Sequence, residues 1–342
     1  MIIRSKAPLR LGLAGGGTDV SPYCDEFGGC VLNVTIDRYA YCTIEPTNDG
    51  RIEFIANDRK ENFSSESVPR LDTSGVLPLH KGMYNRIMQD FCRDKKLSFR
   101  MTTYSDAPAG SGLGSSSTMT VAMLKAYTEW LNLPFGEYDM ASLACRVERE
   151  DLHFSGGKQD QYAATFGGLN FIEFGSSQVV VNPLRVRKWI RNELESRLVL
   201  YYTGTSRDSA TIINEQIKNT REGDSRSLEG MHELKRSAYA MKRAILHGDF
   251  KSVIDCLNAG WEAKKKTSSV VSNPHIEAIY QLVTAYGGQA AKISGAGGGG
   301  FMMVLCDPRE RYNLVEKLRD TEGTVMLTSF TEKGAQAWTL YH

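Results

Sequence analysis

Residues 106–118 read Asp-Ala-Pro-Ala-Gly-Ser-Gly-Leu-Gly-Ser-Ser-Ser-Thr. Three glycines in close succession let the backbone turn its N–H groups toward one point. Val121, Leu124, Tyr127, Trp130 and Leu131 follow at helical spacing, and Pro134 closes the run. The spacing predicts a buried helix that opens at Ser115. Its orphan N–H groups and its dipole favour an anion at that end. The hydroxyls of Ser115, Ser116 and Ser117 can add donors to phosphate oxygens, or an oxygen ligand to Mg²⁺. A flexible loop with a serine cap is the plainer reading of the same residues. The proline before the loop and the buried helix after it argue for rigidity.

Outward from this loop the chain alternates strands and helices. Upstream, Ala40–Glu45 and Ile52–Ile55 have the two-residue period of strands, and Asn48-Asp49-Gly50 between them predicts a hairpin turn. Residues 58–75 are polar and are expected to form an exposed loop. Met83, Ile87 and Phe91 predict a helix, and 98–104 a strand. Downstream, helices are expected over 137–151 and 160–164, and strands over 169–174 and 178–182. A second unit starts near 185, with a strand at 198–202 and helices around 234–245 and 276–283. It continues as a strand–glycine loop–strand unit over 290–306, a helix near 308–320 and a last strand near 324–330. The pattern is α+β, divided as 1–184 and 185–342.

The 342 residues carry 41 Lys plus Arg and 40 Asp plus Glu, a net charge of +1. That balance excludes a broad electrostatic footprint for nucleic acid and leaves room for a local anion site. Seven cysteines, an odd number without a CxxC pair, argue against a disulfide framework and for a reducing cytoplasm. The N-terminus lacks an apolar signal region, and no run is long enough to span a membrane. Six scattered histidines make a structural zinc site unexpected.

Most of the 32 glycines fall in short windows. Gly295-Ala-Gly-Gly-Gly-Gly300 matches GxGxxG but lies between two strands and opens no helix, so the dinucleotide-binding context fails. A tight hairpin is as good a reading. No GxxxxGK[ST] loop and no protein-kinase HRD or DFG occurs. At the N-terminus, Arg10 interrupts the apolar run Leu9, Leu11, Leu13, where a charge is costly unless paired or facing an anion. A strand-edge position would also explain it. Gly15-Gly-Gly-Thr-Asp19 follows. Glu148-Arg-Glu-Asp-Leu-His-Phe-Ser-Gly-Gly-Lys-Gln-Asp160 supplies carboxylates on both sides of a Gly-Gly turn. Phosphoryl transfer needs such groups for a metal and for the acceptor oxygen, although a solvated helix end reads the same way. His153 reads as a packing or surface histidine. Lys264-Lys265-Lys266 reads as a solvated helix face.

Taken together, Ala7–Asp19, Pro108–Ser117 and Lys292–Gly300 resemble, in order and spacing, the three motifs of the GHMP small-molecule kinases. The Pro-x-x-x-Gly-x-Gly-Leu-Gly-Ser-Ser pattern is the most specific of them. Galactokinases carry Glu-His where this chain has Gly16-Gly17. Both Leu-Arg-Leu-Gly-Leu-Ala-Gly-Gly-Gly-Thr-Asp and Gly-Gly-Lys-Gln-Asp-Gln-Tyr-Ala-Ala-Thr-Phe-Gly-Gly look like the heptose 7-phosphate kinase branch, with fucose kinases the nearest competitor. The resemblance implies a ribosomal-protein-S5-domain-2-like N-terminal domain and a ferredoxin-like C-terminal domain, with ATP and sugar bound between them.

By the same resemblance, Asp160 is the catalytic base or orienter and Arg10 its balancing cation. Pro108, Gly110, Gly112, Leu113, Gly114, Ser115, Ser116 and Ser117 bind ATP. Ser116 and Glu148 hold Mg²⁺, with Glu150 as a fallback. Asp19, Gly16, Gly17, Gly295, Gly297 and Gly298 bind or shape the substrate site. The implied reaction is phosphorylation of the anomeric hydroxyl of heptose 7-phosphate to the 1,7-bisphosphate, in nucleotide-heptose synthesis. The alternatives are fucose or another family substrate, and a catalytically silent sugar sensor. A sugar phosphate needs a second anion site, for which Lys158, Arg38 and Arg207 are candidates. Oligomeric state is not legible.

Overall fold

The computed structural model describes residues 1–92, 95–108, 110–204 and 209–341. The chain opens with β1 (Ile2–Ala14), a short helix α1 (Tyr23–Phe27), β2 (Gly29–Pro46), β3 (Arg51–Ala56) and β4 (Glu61–Glu66). Helix α2 (Pro78–Phe91), β5 (Phe99–Ser105), α3 (Ser115–Leu131) and α4 (Glu137–Arg146) follow. A π-helical turn, Val147–Asp151, leads to α5 (Gln159–Phe166), β6 (Leu169–Phe174) and β7 (Val179–Pro183). The second half comprises α6 (Lys188–Arg197), β8 (Leu198–Tyr202), α7 (Ser209–Glu222), α8 (Ser225–His247), α9 (Phe250–Thr267) and α10 (Pro274–Ala285). It ends with β9 (Gly288–Ile293), β10 (Phe301–Cys306), α11 (Arg311–Arg319), β11 (Thr324–Met326) and β12 (Gln336–Leu340).

The first sheet runs β12-β1-β2-β5-β3-β4, with β6 and β7 extending from β2. Ile3, Ile44, Ile52, Phe54 and Met101 on its strands pack against Met83 and Ile87 of α2 and Val121 and Leu124 of α3. Alternation in β1 then divides its faces. Leu9, Leu11 and Leu13 join Leu32, Phe171, Met241, Leu200 and Met303 in a core that belongs to both halves of the molecule. Arg10 and Gly12 therefore point the other way, toward α5 and the glycine loops. This continuous apolar contact fixes the two halves against each other and defines the cleft between them.

The second sheet is antiparallel in the order β11-β8-β10-β9. Counted within the unit this is the 4-1-3-2 order of a ferredoxin-like fold, with α7 to α10 all inserted between its first two strands. Among the described residues no helix is long and apolar enough to cross a membrane, and all seven cysteines are free thiols.

Several local expectations are corrected. Asn48-Asp49-Gly50 does turn the chain, but β2 and β3 are not a hairpin: β5 lies between them, antiparallel to β2 and parallel to β3. Within the expected loop 58–75, Glu61–Glu66 forms β4. It is an edge strand with one large apolar residue, Phe63, so it lacks the alternation of a half-buried strand. The last expected strand, 324–330, shortens to β11. The segment 336–340 instead pairs antiparallel with β1, covering an edge that would otherwise stay open. By sheet membership it lies with residues 1–184, not with 185–342.

Candidate active site

The glycine loop is held from several sides. Asp106 fixes its start, with its amide donating to the Tyr39 carbonyl and its carboxylate accepting the Tyr39 amide, both at 2.9 Å. Gly110, Gly112 and Gly114 adopt left-handed φ values of 72°, 79° and 77°. Leu113 anchors the loop in the shared core, and its carbonyl accepts the Arg10 amide at 3.2 Å. The Ser115 hydroxyl donates back to the Pro108 carbonyl at 3.2 Å. The N-terminal amides of α3 are thus left at a cavity of about 720 Å³ lined by Gly110, Gly112, Gly114 and Ser115 to Ser117. That is the size of a small-molecule site. Pro108 and Leu113 do not line it; they brace the loop.

The third glycine window lies directly against this loop. The Phe301 amide donates to the Ser111 carbonyl at 2.9 Å. A Cβ on Gly112 would collide with the Ser294 carbonyl, and one on Gly295 with the Gly112 backbone. Residues 295–300 are indeed a hairpin loop, and its lack of side chains lets two backbones touch. Gly295 lines the cavity, whereas Gly297 and Gly298 pack on Val271, whose carbonyl accepts the Gly298 amide at 2.7 Å.

Arg10 is 3% exposed and donates from Nε to Asp160 Oδ1 at 2.6 Å. A second nitrogen donates to the Gly112 carbonyl at 2.7 Å. This meets the requirement that a buried guanidinium be paired, and it ties the glycine loop to α5. Asp160 is the second residue of α5, its side chain about one-fifth exposed at 21% toward the cavity. Its Oδ2 has no hydrogen bond among the described residues.

Asp19 is buried and fully engaged. Its carboxylate accepts the Gly17 amide at 3.0 Å, the Gln159 amide at 3.0 Å and the Gln159 side chain at 3.1 Å. It lines the cavity, but its main work is to clamp the first glycine window onto the start of α5, next to Asp160. Gly17 lines the cavity and Gly16 does not.

Glu148 sits in the π-helical turn, a distortion common at functional positions. Only 2% of it is exposed. The Ser117 hydroxyl donates to its Oε2 and the Gln161 amide to its Oε1, each at 2.9 Å. Ser116 makes no such contact. It is the exposed member of the three serines, on the wall of the same cavity as Glu148. Successive helix positions diverge by about 100°, so only one serine of the run can meet the π-turn. Among the described residues no group of three His, Cys, Asp or Glu could hold a metal. Glu148 with hydroxyl oxygens is the hard donor set that a cation shared with phosphates requires. Glu150 does not line the cavity.

Lys264 does not lie on the solvated helix face that three consecutive lysines suggest. Three consecutive helical residues cover about 200° of the helix, so one of the run turns inward. Lys265 and Lys266 face Glu262 and Glu233, while Lys264 is buried, donates to the Gly16 carbonyl at 3.0 Å and lines the cavity. Burial lowers its pKa to about 8; nearby Asp19 partly offsets the effect and Arg10 adds to it. Lys292 in β9 donates to the Gly12 carbonyl at 2.9 Å. Burial, with Lys264 and Arg10 nearby, lowers its pKa to about 7. A lysine amid Ala290, Ala291 and Ile293 carries the same signal as Arg10 and could have been found by it.

Arg149, His153, Gln159 and Gln216 also line the cavity without having been assigned a role. Of the anion-site candidates, Lys158 pairs with Asp25 at 3.3 Å and Arg38 with Asp37 and the Leu327 carbonyl. Neither lines the cavity. Arg207 lies outside the described residues.

Residues 78–168 match the GHMP kinases N terminal domain and residues 241–322 the GHMP kinases C terminal domain. Over 337 residues the chain is 49% identical to the D-glycero-alpha-D-manno-heptose 7-phosphate kinase of Campylobacter jejuni, covering 98% of each chain. It is 28% identical to the L-fucokinase/L-fucose-1-P guanylyltransferase of Bacteroides fragilis, covering 98% of this chain and 38% of that one. Among solved structures, a D-glycero-D-manno-heptose 1-phosphate kinase from Bacteroides thetaiotaomicron is similar with a TM-score of 0.85 and 46% identity, over 99% of this chain and all of the other.

Proposed function

The chain belongs to the GHMP kinases, phosphotransferases that use ATP as donor, and we propose that this member phosphorylates the anomeric hydroxyl of D-glycero-D-manno-heptose 7-phosphate to the 1,7-bisphosphate, a step toward nucleotide-activated heptose. The observation that carries the reading is the Arg10–Asp160 pair. It places a carboxylate with one unbonded oxygen beside a glycine loop and a helix N-terminus, in one cavity. The choice of sugar is supported by the likeness to the heptose 7-phosphate kinase.

In this scheme the amides of the glycine loop and of Ser115 to Ser117 hold the donor phosphates. Asp160 accepts the proton of the anomeric hydroxyl as that oxygen bonds to the γ-phosphorus. The bond from the γ-phosphorus to the bridging oxygen breaks, its electron pair leaves with ADP, and Asp160 later returns the proton to solvent. Arg10 keeps the carboxylate in place and offsets charge that develops on the transferring group. Glu148 and the Ser116 hydroxyl are the proposed Mg²⁺ ligands, with Ser117 and Gln161 aiming Glu148. Bound there, the ion would neutralise phosphate charge.

The test is ADP release by the purified protein over a panel of heptose 7-phosphate, heptose 1-phosphate, L-fucose, galactose, mannose and mevalonate. Turnover is expected with heptose 7-phosphate far above the rest. Preferred turnover of fucose or of heptose 1-phosphate overturns the assignment of the acceptor.

A further inference from the structure

Three cations line the cavity among the described residues: Arg10, Arg149 and Lys264. Arg10 is committed to Asp160 and the Gly112 carbonyl. Arg149 spends its donors on the Gly157 and Phe154 carbonyls, with contacts of 2.8 to 3.2 Å. Lys264 differs from both. Its ammonium has three donors and uses one, on the Gly16 carbonyl at 3.0 Å, and it has no ion pair among the described residues. A buried charge left in that state is costly unless something else enters to pair with it.

Its position in the cavity is specific. The phosphate loop touches Arg10 and Asp160. Gln159, next in chain to Asp160, is bound to Asp19, and Asp19 to Gly17. Lys264 lies beyond Gly17, beside Gln216. Asp160, where the reacting hydroxyl would sit, and Lys264 thus line one cavity and are linked through Gln159, Asp19 and the 16–17 backbone. A side chain at position 17 would be strained by the φ of +107°, and its Cβ, 2.8 Å from the Lys264 Nζ, would push the ammonium aside. Glycine there keeps the ammonium open to the cavity.

We propose that Lys264 binds the phosphate that the acceptor already carries and so makes this enzyme selective for a sugar phosphate over the free sugar. This rests on the heptose 7-phosphate reading above and adds the residue that recognises the end of the substrate remote from the reaction. A depressed lysine pKa fits the role, since an entering phosphate dianion would favour the charged form that burial disfavours.

The experiment compares Lys264→Met, Lys264→Arg and Lys292→Met with wild type, using heptose 7-phosphate and the unphosphorylated heptose. Lys292→Met is the control, since it removes a similar staple, on the Gly12 carbonyl, from a residue that does not line the cavity. For Lys264→Met the KM for the sugar phosphate should rise about 10- to 100-fold, the worth of one charged hydrogen bond. The KM for ATP should stay within about threefold and the preference over free heptose should collapse, with partial recovery in Lys264→Arg. Equal losses on both sugars, or the same loss of preference in Lys292→Met, would show that Lys264 only staples the loop. A second measurement separates this from the substrate assignment: inorganic phosphate is titrated calorimetrically into protein saturated with a non-hydrolysable ATP analogue and Mg²⁺. Wild type should bind one phosphate and Lys264→Met none, whichever sugar is turned over. Absence of binding in wild type, or undiminished binding in Lys264→Met, overturns the proposal.

Discussion

Replacing Asp160 by asparagine isolates the chemistry of the site from its geometry. Asparagine keeps an oxygen that can accept the Arg10 Nε bond, now 2.6 Å long, and Arg10 keeps its bond to the Gly112 carbonyl. The variant loses the negative charge and the ability to take a proton. Breaking a fully buried pair costs about 3–5 kcal/mol. Here Asp160 is about one-fifth exposed and a neutral hydrogen bond survives, so a stability loss of roughly 1–3 kcal/mol is expected. For catalysis, removal of a positioned base corresponds to a fall in kcat of about 10²–10⁴-fold. ADP release under saturating substrates gives kcat, calorimetric titration gives ATP affinity, and a thermal melt gives stability. The expected pattern is a kcat loss in that range, ATP affinity within about threefold of wild type and a modest drop in Tm. A variant that turns over within about threefold of wild type would refute the role of Asp160. A parallel loss of ATP affinity would mean that the pair serves the loop instead.

Three further outcomes are expected. Ser117→Ala and Gln161→Leu each remove one of the bonds that aim Glu148; both should raise the Mg²⁺ concentration needed for half-maximal rate, as should Ser116→Ala, and an unchanged requirement in all three would argue against a metal at Glu148. Gly112→Ala puts a methyl into the Ser294 carbonyl at a left-handed φ of 79°; it should weaken ATP binding at least about tenfold and lower Tm, and normal ATP binding would show that the loop can move off β9 and β10. Lys292 has a folded pKa of about 7, against 10.5 for the free group, so between these values the unfolded chain binds more protons and stability due to this residue rises with pH. Denaturant melts of wild type and Lys292→Met from pH 7 to 9 should therefore show wild type gaining on the variant, and a constant difference would mean that Lys292 is not depressed.

The parts of the site legible in the sequence were those where local chemistry is unusual. Arg10 in an apolar strand, three glycines before a buried helix, and a carboxylate after Gly-Gly each break a local rule, and functional sites are where such breaks gather. What stayed hidden depended on long-range geometry. The inward turn of Lys264 follows from the rotation of α9 against α8, β9 and β1, and nothing in three consecutive lysines says which one faces in. The pairing of Ser117 with Glu148 depends on the π-helical turn, which has no sequence signature. Asn48-Asp49-Gly50 specifies a turn but not a hairpin, because a turn residue carries no information about a strand, β5, that inserts from fifty residues on. Strand β4 and strand β12 were missed or misplaced because edge strands bury little, and burial is what imposes a period on sequence.

The central claim is that the acceptor oxygen beside Asp160 is the anomeric hydroxyl of a sugar that already bears a phosphate. Phosphorus–proton correlation NMR of the product made from heptose 7-phosphate and ATP tests it directly. The predicted result is one new phosphate resonance coupled to the anomeric proton, with the original resonance still coupled to the C7 protons. A new phosphate coupled to any other proton, or no new ester while ATP is consumed, would contradict it.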